Sequence, residues 1–313
     1  MAEGSEGANG PGRIGPAPAG GSGDPPAWLG PLIAALLGTG VFFGLGFAGV
    51  FDLPLVLALL PSGIAPAATS LELTSLSFLI GFALALPLGM LRARPPATAV
   101  PGSASARSPA RRGLRTVAYR LASGYVGAIR GTPFLVQVFL VYWAVVFTVP
   151  RLTIFGVDLP FWVGLLALTI NTTAYQSEAL RGGFQSVDAG QLEAARAIGL
   201  TPFEVFARVL LPQGIRLVTL PLANEWISNF KTSTILSYIT VVELYYWARN
   251  GVALDLARPV EAFVLLTVFY LSINVTLSRT VTYLEHRYRI PGLGTPAPGV
   301  RGRAGPLVTA APR

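Results

Sequence analysis

Long apolar runs alternate with short polar or arginine-rich stretches along most of the chain. Because a helix needs roughly 20 mostly apolar residues to cross a bilayer, this pattern predicts six membrane spans. They lie at 28–50, 73–91, 133–149, 159–181, 217–241 and 262–279. Residues 53–66 are also apolar but short and interrupted by proline, and we interpret them as an interfacial or re-entrant piece on the external side. The pattern therefore predicts an all-α fold, a polytopic membrane helical bundle.

Gly, Pro, Ala and Ser dominate three further segments that lack an apolar run. Such a composition buries too little apolar surface to form a core, so we expect disordered ends and a solvated linker at 95–113. No short basic region directly precedes the first apolar run, so the chain start does not resemble a cleaved signal. The predicted organisation is a disordered segment 1–27, an extra span with an external linker 28–72, a transmembrane domain 73–290 with a cytoplasmic loop 184–215, and a disordered tail 291–313.

The composition agrees with lipid as the main solvent. Charged residues make up 12% of the 313 residues, whereas soluble domains carry about 25%. The chain has no cysteine and a single histidine, His286, which excludes thiol chemistry and argues against a histidine-dependent triad or metal site. No Gly-rich phosphate loop precedes Lys231, so ATP would have to bind a separate chain. We therefore expect no enzyme activity, cofactor or metal on this chain.

Arginine accounts for almost all of the positive charge, because Lys231 is the only lysine. The arginines cluster beside apolar spans, which favours a role in membrane topology over nucleic-acid binding. Basic loops stay in the cytoplasm, and the basic regions 92–120, 182–216 and 279–289 alternate correctly if the six spans leave both ends inside. The charge pattern thus predicts a multi-pass protein of the cytoplasmic (inner) membrane with both termini in the cytoplasm.

The loop at 184–215 carries start and stop signals for two short helices. Asp188, followed by Gln at the third position, fits an N-cap, and Thr201 with Glu204 forms a capping box. Gly199 suits the left-handed end of the first helix, and we expect Pro212 to end the second. Apolar positions mark one side of each helix: Leu192, Ala195 and Ile198 in the first, and Phe203, Phe206 and Leu210 in the second.

This pattern alone leaves two alternatives open. One is an amphipathic loop that rests on lipid. The other is a rigid helix–turn–helix surface that a cytoplasmic partner contacts, which the small residues Ala194, Ala195 and Ala197 would let approach closely.

The stretch "EAARAIGLTPFEVFARVLLP" closely resembles the signature cytoplasmic loop of ABC importer permeases. The matching positions are Glu193, Ala194, Ala195, Gly199, Leu211 and Pro212. Three further stretches, "RGTPFLVQVFLVY", "AYQSEALRGGFQSVDAGQLEAA" and "LPQGIRLVTLPLANEWISNFKTSTI", resemble the polar amino acid subfamily, and the resemblance extends over residues 73–290. It implies a type I, MetI-like permease core, to which the 28–50 span and the arginine-rich insertion are additions.

The resemblance also implies partners. In that family the loop is a coupling helix that docks on an ATPase subunit, two permease subunits form the pathway, and an extracytoplasmic solute-binding protein delivers the substrate. Many members read Lys-Asp-Thr-Ser-Leu where this chain reads Lys231, Thr232, Ser233, Thr234 and Ile235. The missing acidic residue bears on which amino acid is carried.

Polar residues inside the predicted spans are candidates for the translocation pathway, because ionisable groups at membrane depth cost about 2.5–3.5 kcal/mol on insertion scales. The candidates are Asn171, Tyr175 and Glu178 in the fourth span and Asn224, Lys231 and Ser233 in the fifth. The alternatives are interhelical hydrogen bonding, an ion pair between Glu178 and Arg181, and a structural Lys231 that snorkels or pairs with a nearby glutamate. Gln137 follows Thr132 and Pro133, where broken backbone is expected.

The sequence thus favours the permease subunit of an ATP-driven ABC importer for polar amino acids. One rival is a secondary transporter or channel that works without ATP, which predicts inverted repeats or several intramembrane acidic residues. A second is a membrane scaffold without transport activity. A third is an ABC permease for another small solute.

Overall fold

The computed structural model describes residues 37–38, 40–41, 43–46, 48–93, 109–148, 153–154 and 156–287. The chain divides into two compact units, Met1–Leu53 and Pro54–Arg313. In the first unit, the described residues between 37 and 46 are helical, within the predicted span 28–50. The predicted disordered segments 1–27 and 291–313 lie outside the described residues, as does the linker before residue 109.

Helices make up nearly all of the described chain beyond residue 52. In order they are α1 (Leu53–Leu59), a 3-10 turn (Leu60–Gly63), α2 (Ile64–Ala93), α3 (Pro109–Arg130), α4 (Phe134–Thr148), α5 (Leu159–Gln185), α6 (Ala189–Ala197), α7 (Pro202–Glu204), a π-helical turn (Val205–Leu210), α8 (Leu211–Thr232), a 3-10 helix (Ser233–Ile239), α9 (Leu244–Tyr246), a π-helical stretch (Trp247–Leu254) and α10 (Pro259–Arg287). The strands β1 (Thr153–Ile154) and β2 (Val157–Asp158) pair antiparallel between α4 and α5. The predicted all-α fold class is confirmed.

Three helical stretches among the described residues are long and apolar enough to cross a membrane: Leu53–Ala93, Pro202–Ile239 and Pro259–Tyr283. Helices α3 and α4 add a candidate span that is bent by 110°. Helix α5 has 27 residues, which at 1.5 Å per residue corresponds to roughly 40 Å, although its polar residues lower its hydropathy. These five segments overlap the five predicted spans beyond residue 72.

The interpretation of residues 53–66 as a separate re-entrant piece was wrong. They are helical and join α2 in one stretch of 41 residues, Leu53–Ala93, so residues 64–72 also belong to a helix rather than to a linker. Pro54, Pro61 and Pro66 each lie in the first turn of a helical segment. A proline there removes an N–H that has no partner within the helix, so these prolines do not break it.

Helix α5 lies at the centre of the larger unit, and more than half of its residues are buried. Small residues let neighbouring helices approach it closely: a Cβ added at Gly89 of α2 would lie 2.8 Å from the Cβ of Leu180. The buried Asn229 of α8 donates hydrogen bonds to Ser77 Oγ at 3.1 Å and Thr172 Oγ1 at 2.8 Å. Close packing and interhelical hydrogen bonds thus join α2, α5 and α8.

Candidate functional site

Residues 188–212, which we call the knuckle, form two short helices at an abrupt turn. The backbone N–H of Gln191 donates to Asp188 Oδ1 at 3.1 Å, so the predicted N-cap is confirmed. The predicted capping box is also present: Glu204 N donates to Thr201 Oγ1 at 3.3 Å, and Thr201 N donates to Glu204 Oε2 at 2.9 Å. Gly199 has φ +88°, the left-handed conformation expected after the first helix.

The prediction that Pro212 ends the second helix was wrong. The helical stretch runs from Pro202 to Ile239, and the backbone passes from the π-helical turn Val205–Leu210 directly into α8. Pro212 has no N–H to donate to the preceding turn, and the wide π-turn directly before it accommodates the loss. The second helix of the knuckle and the fifth predicted span are therefore parts of one helical rod.

The apolar residues that mark one side of each knuckle helix are not all buried. Ala195 and Leu210 are buried, and Phe206 packs against Phe184 of α5. Ile198 and Phe203, however, are 79% and 75% exposed. They flank the turn at Gly199, so the tip of the knuckle presents two apolar side chains outward.

The six positions that match the family loop have different surroundings. Glu193 and Ala194 are exposed on α6, and Gly199 is exposed at the turn. Ala195 is buried, and Leu211 packs against the apolar cluster around Leu180 and Phe184. Pro212 is exposed. The loop therefore combines residues that attach it to the bundle with residues that remain available for contact.

Glu178 lies at the centre of an arginine cluster near the same end of the bundle. Its carboxylate is 2.6 Å from Arg181 Nη2, 2.9 Å from Arg92 Nη1 and 3.4 Å from Arg130 Nη1. The suggested ion pair with Arg181 is confirmed, but the arginines of α2 and α3 were not predicted. Three guanidinium groups share one carboxylate, so the cluster has excess positive charge.

Arg130 extends this cluster towards the surface of the bundle. Its guanidinium lies 5.5 Å from the ring centroid of the exposed Tyr175, and the half-buried Glu225 of α8 is within its electrostatic reach. Sequence reasoning missed Arg130 as a site residue. The signal was its place directly before the Gly131-Thr132-Pro133 break, where a helix end exposes its last side chain.

Asn171 forms part of the structural support for that break. The Nε2 of Gln137 donates to the carbonyls of Ile129 at 2.7 Å and Thr132 at 3.0 Å, and its Oε1 accepts from Asn171 Nδ2 at 2.9 Å. The expected broken backbone is present between α3 and α4. Because Asn171 is buried, it holds the bend in this structure and does not face an open path.

Helix α8 carries an exposed polar face. Asn224, Ser228 and Lys231 are all exposed, and their spacings of four and three place them on one side of the helix. Among the described residues, Lys231 has no ion pair, so the suggested pairing with a glutamate is not observed. Ser233 is instead fully buried and donates to the carbonyl of Phe230 at 2.8 Å, so it does not belong to this face.

Two features thus lie on one helical bundle: a capped knuckle with an apolar tip, and an exposed polar face on a helical stretch that is long and apolar enough to cross a membrane. This combination is typical of a membrane transport subunit. A family model described as "Binding-protein-dependent transport system inner membrane component" matches residues 100–290. The chain belongs to this family, and it is therefore a multi-pass permease component of the inner membrane and not an enzyme.

Individual relatives agree with this assignment. The chain is 34% identical over 238 residues to the nopaline transport system permease protein NocM of Agrobacterium fabrum, covering 75% of this chain and 90% of that protein. It is 35% identical over 219 residues to the L-cystine transport system permease protein TcyB of Bacillus subtilis, covering 70% and 82%. A crystal structure described as an amino acid ABC transporter with histidines matches with TM-score 0.61 and 29% identity, covering 75% of this chain and 98% of that one.

Proposed function

We propose that this chain is the permease subunit of an ATP-driven importer for polar amino acids, which an extracytoplasmic solute-binding protein delivers. The relatives named for nopaline and L-cystine transport support an amino acid or amino acid derivative as the solute. The observation that carries the proposal is the exposed polar face of α8, because an unpaired Lys231 at membrane depth is stable only beside water, a solute or another protein.

The partner permease covers this face in the proposed assembly. Two copies, or this chain and a similar one, would bring two α8 faces together around a polar path. Arg130 and Glu225 lie at its side with opposite charges, which suits a zwitterionic solute whose carboxylate and ammonium need opposite partners. Tyr175, Glu178, Asn224 and Lys231 remain our candidates for the pathway.

The knuckle couples the permease to a separate ATPase that binds the nucleotide. Its tip offers Ile198 and Phe203 as anchors, and exposed aromatic or aliphatic side chains of this kind are common at the centre of protein interfaces. Glu193 and Ala194 lie beside these anchors. Because Pro212 does not interrupt the rod, displacement of the tip is transmitted directly to the polar face of α8.

The proposed orientation places the knuckle and both chain ends in the cytoplasm. The positive-inside rule supports it, since the knuckle shares its end of the bundle with Arg92 and Arg181. Gln185, at the end of α5, donates to the carbonyl of Ala93 at the end of α2. The external end of the rod is then near Ile239, where the solute-binding protein would dock.

Reconstituted uptake tests the proposal. The permease, with its ATPase and solute-binding protein, is placed in proteoliposomes and offered labelled glutamine, cystine, arginine and a sugar. We expect ATP-dependent uptake of an amino acid, and a loss of about tenfold in Lys231→Met at equal protein level, comparable to 1.4 kcal/mol. The exposed Arg279→Gln, on α10, is the matched control.

Three outcomes would contradict the proposal or one of its parts. Uptake driven by an ion gradient without ATP would favour a secondary transporter. Uptake of the sugar alone would favour an ABC permease for another solute. Unchanged uptake kinetics in Lys231→Met would exclude this lysine from the pathway.

A further inference from the structure

Helix α3 differs from the other long helices in how its charges are arranged. Between Glu72 and Asp158 the sequence contains nine arginines and no acidic residue. Arg112, Arg115 and Arg120 lie among the first twelve of the 22 residues of α3, and Arg112 and Arg120 are exposed. This half of the helix is therefore strongly basic.

The same half of α3 also carries exposed apolar side chains. Leu114, Val117 and Leu121 are 72%, 54% and 69% exposed, and their spacings of three and four place them in one stripe. The opposite side of the helix packs on the bundle through the buried Ala122 and Val126. An apolar stripe with arginines on the other sides of the same helix is the arrangement of helices that lie in a membrane interface.

The geometry of the bundle places this segment at the membrane boundary. Helix α4 is one of the apolar helices, and α3 meets it at a bend of 110°, so α3 runs nearly at right angles to it. Arg92, one residue before the end of the apolar stretch Leu53–Ala93, donates to Ser123 Oγ at 3.4 Å. The part of α3 that precedes Ser123 therefore extends beside the end of a membrane helix.

We propose that residues 112–121 form a binding surface for anionic phospholipids. The guanidinium groups contact the phosphates of the headgroups, and Leu114, Val117 and Leu121 contact the acyl chains below. Positive charge favours this occupant over a zwitterionic lipid, because each arginine near an anionic surface contributes separately to the attraction. The surface is distinct from the knuckle and from the polar face of α8. The proposal does not depend on which solute is carried.

The chain has no cysteine, so a single introduced cysteine can report on the lipid at one position. Leu121→Cys is labelled with a fluorophore in nanodiscs of phosphatidylcholine and phosphatidylglycerol, and one of the two lipids at a time carries brominated, quenching acyl chains. We expect phosphatidylglycerol to quench at least about twofold more than phosphatidylcholine here. At Leu140→Cys, an exposed apolar position on α4, which has no arginine of its own, we expect equal quenching.

Charge variants then test whether the arginines cause the preference for phosphatidylglycerol. Arg112→Gln and Arg120→Gln, added to the labelled Leu121→Cys protein, should remove this preference. Arg216→Gln with Arg279→Gln, an equal loss of charge elsewhere, should leave it unchanged. Equal quenching by both lipids at position 121 would overturn the proposal. Quenching by neither lipid would also overturn it, because a protein would then cover the apolar stripe. Loss of the preference in excess inorganic phosphate would overturn it as well, because the site would then bind a free anion.

Discussion

The second helix of the knuckle and the polar face of α8 belong to one helical stretch, yet the side chains exposed at the tip and on the face are opposite in character. The tip presents Ile198 and Phe203 where the proposed surroundings are water. The face presents Asn224 and Lys231 where the proposed surroundings are the membrane interior. Each surface is poorly suited to its solvent, and each is therefore expected to meet another protein subunit. In the proposed function the tip is the docking surface and the face of α8 is the pathway surface.

The strongest test of this contrast is to remove the apolar character of the tip. We expect Phe203→Asp to weaken binding of the partner ATPase by roughly thirtyfold, because loss of an aromatic anchor costs about 2 kcal/mol or more. ATP-dependent uptake should fall in proportion, while insertion into the membrane stays normal. Binding is measured with the purified permease in detergent, and Phe203→Leu, which keeps an apolar side chain, is the control.

If Phe203→Asp bound the ATPase as tightly as the parent, the tip would not be the docking surface. The tip and the polar face of α8 would then not be linked mechanically, and Ile198 and Phe203 would contact a different partner.

A second test concerns the packing between the two regions. Near the knuckle, α5 and α8 cross at Gly183 and Gly214, and a Cβ at Gly183 would collide with Val218 and lie 2.9 Å from the carbonyl oxygen of Gly214. We expect Gly183→Ala to destabilise the protein by about 1–3 kcal/mol through overpacking. Thermal unfolding in detergent, followed by size-exclusion chromatography, measures the loss.

The neighbouring Gly182 supplies the control. An added Cβ there meets no atom within 4 Å, so Gly182→Ala should instead stabilise helix α5 by about 0.5–1 kcal/mol. Equal thermal stability of Gly183→Ala and Gly182→Ala would show that α5 and α8 are not closely packed at this crossing. The rod would then not be held against α5 between the tip and the polar face.

The same two regions show what the sequence could predict. The caps of the knuckle were predictable because Asp188 and Thr201 bond to groups three residues away, and such contacts depend on local spacing alone. The continuation of the helix through Pro212 was not predictable, because it depends on a π-helical turn that cannot be recognised from residue types. The spans were readable from hydropathy, apart from the prolines of 53–66, which begin helical segments.

The polar groups of the bundle were harder to assign for a different reason. Glu178 pairs with Arg92 and Arg130, which are distant along the chain, and helical periodicity carries no information on such contacts. Ser233 is a different case: at 3.6 residues per turn it lies about 200° around the helix from Lys231, on the same side as the buried Phe230. Only the packing of several helices decides which polar residues face a pathway.

The smallest effect is expected at the cap that shapes the tip. Thr201→Ala removes the hydroxyl that accepts from Glu204 N, which should cost about 1 kcal/mol and increase amide exchange at Phe203 and Glu204 by roughly fivefold. Thr201→Ser keeps the acceptor and should exchange like the parent. Because the cap is local, the polar face of α8 should keep its exchange rates in both variants. A change at Lys231 as large as that at Glu204 would mean that the two surfaces open together, and the rod would then be flexible rather than a rigid link between docking and pathway.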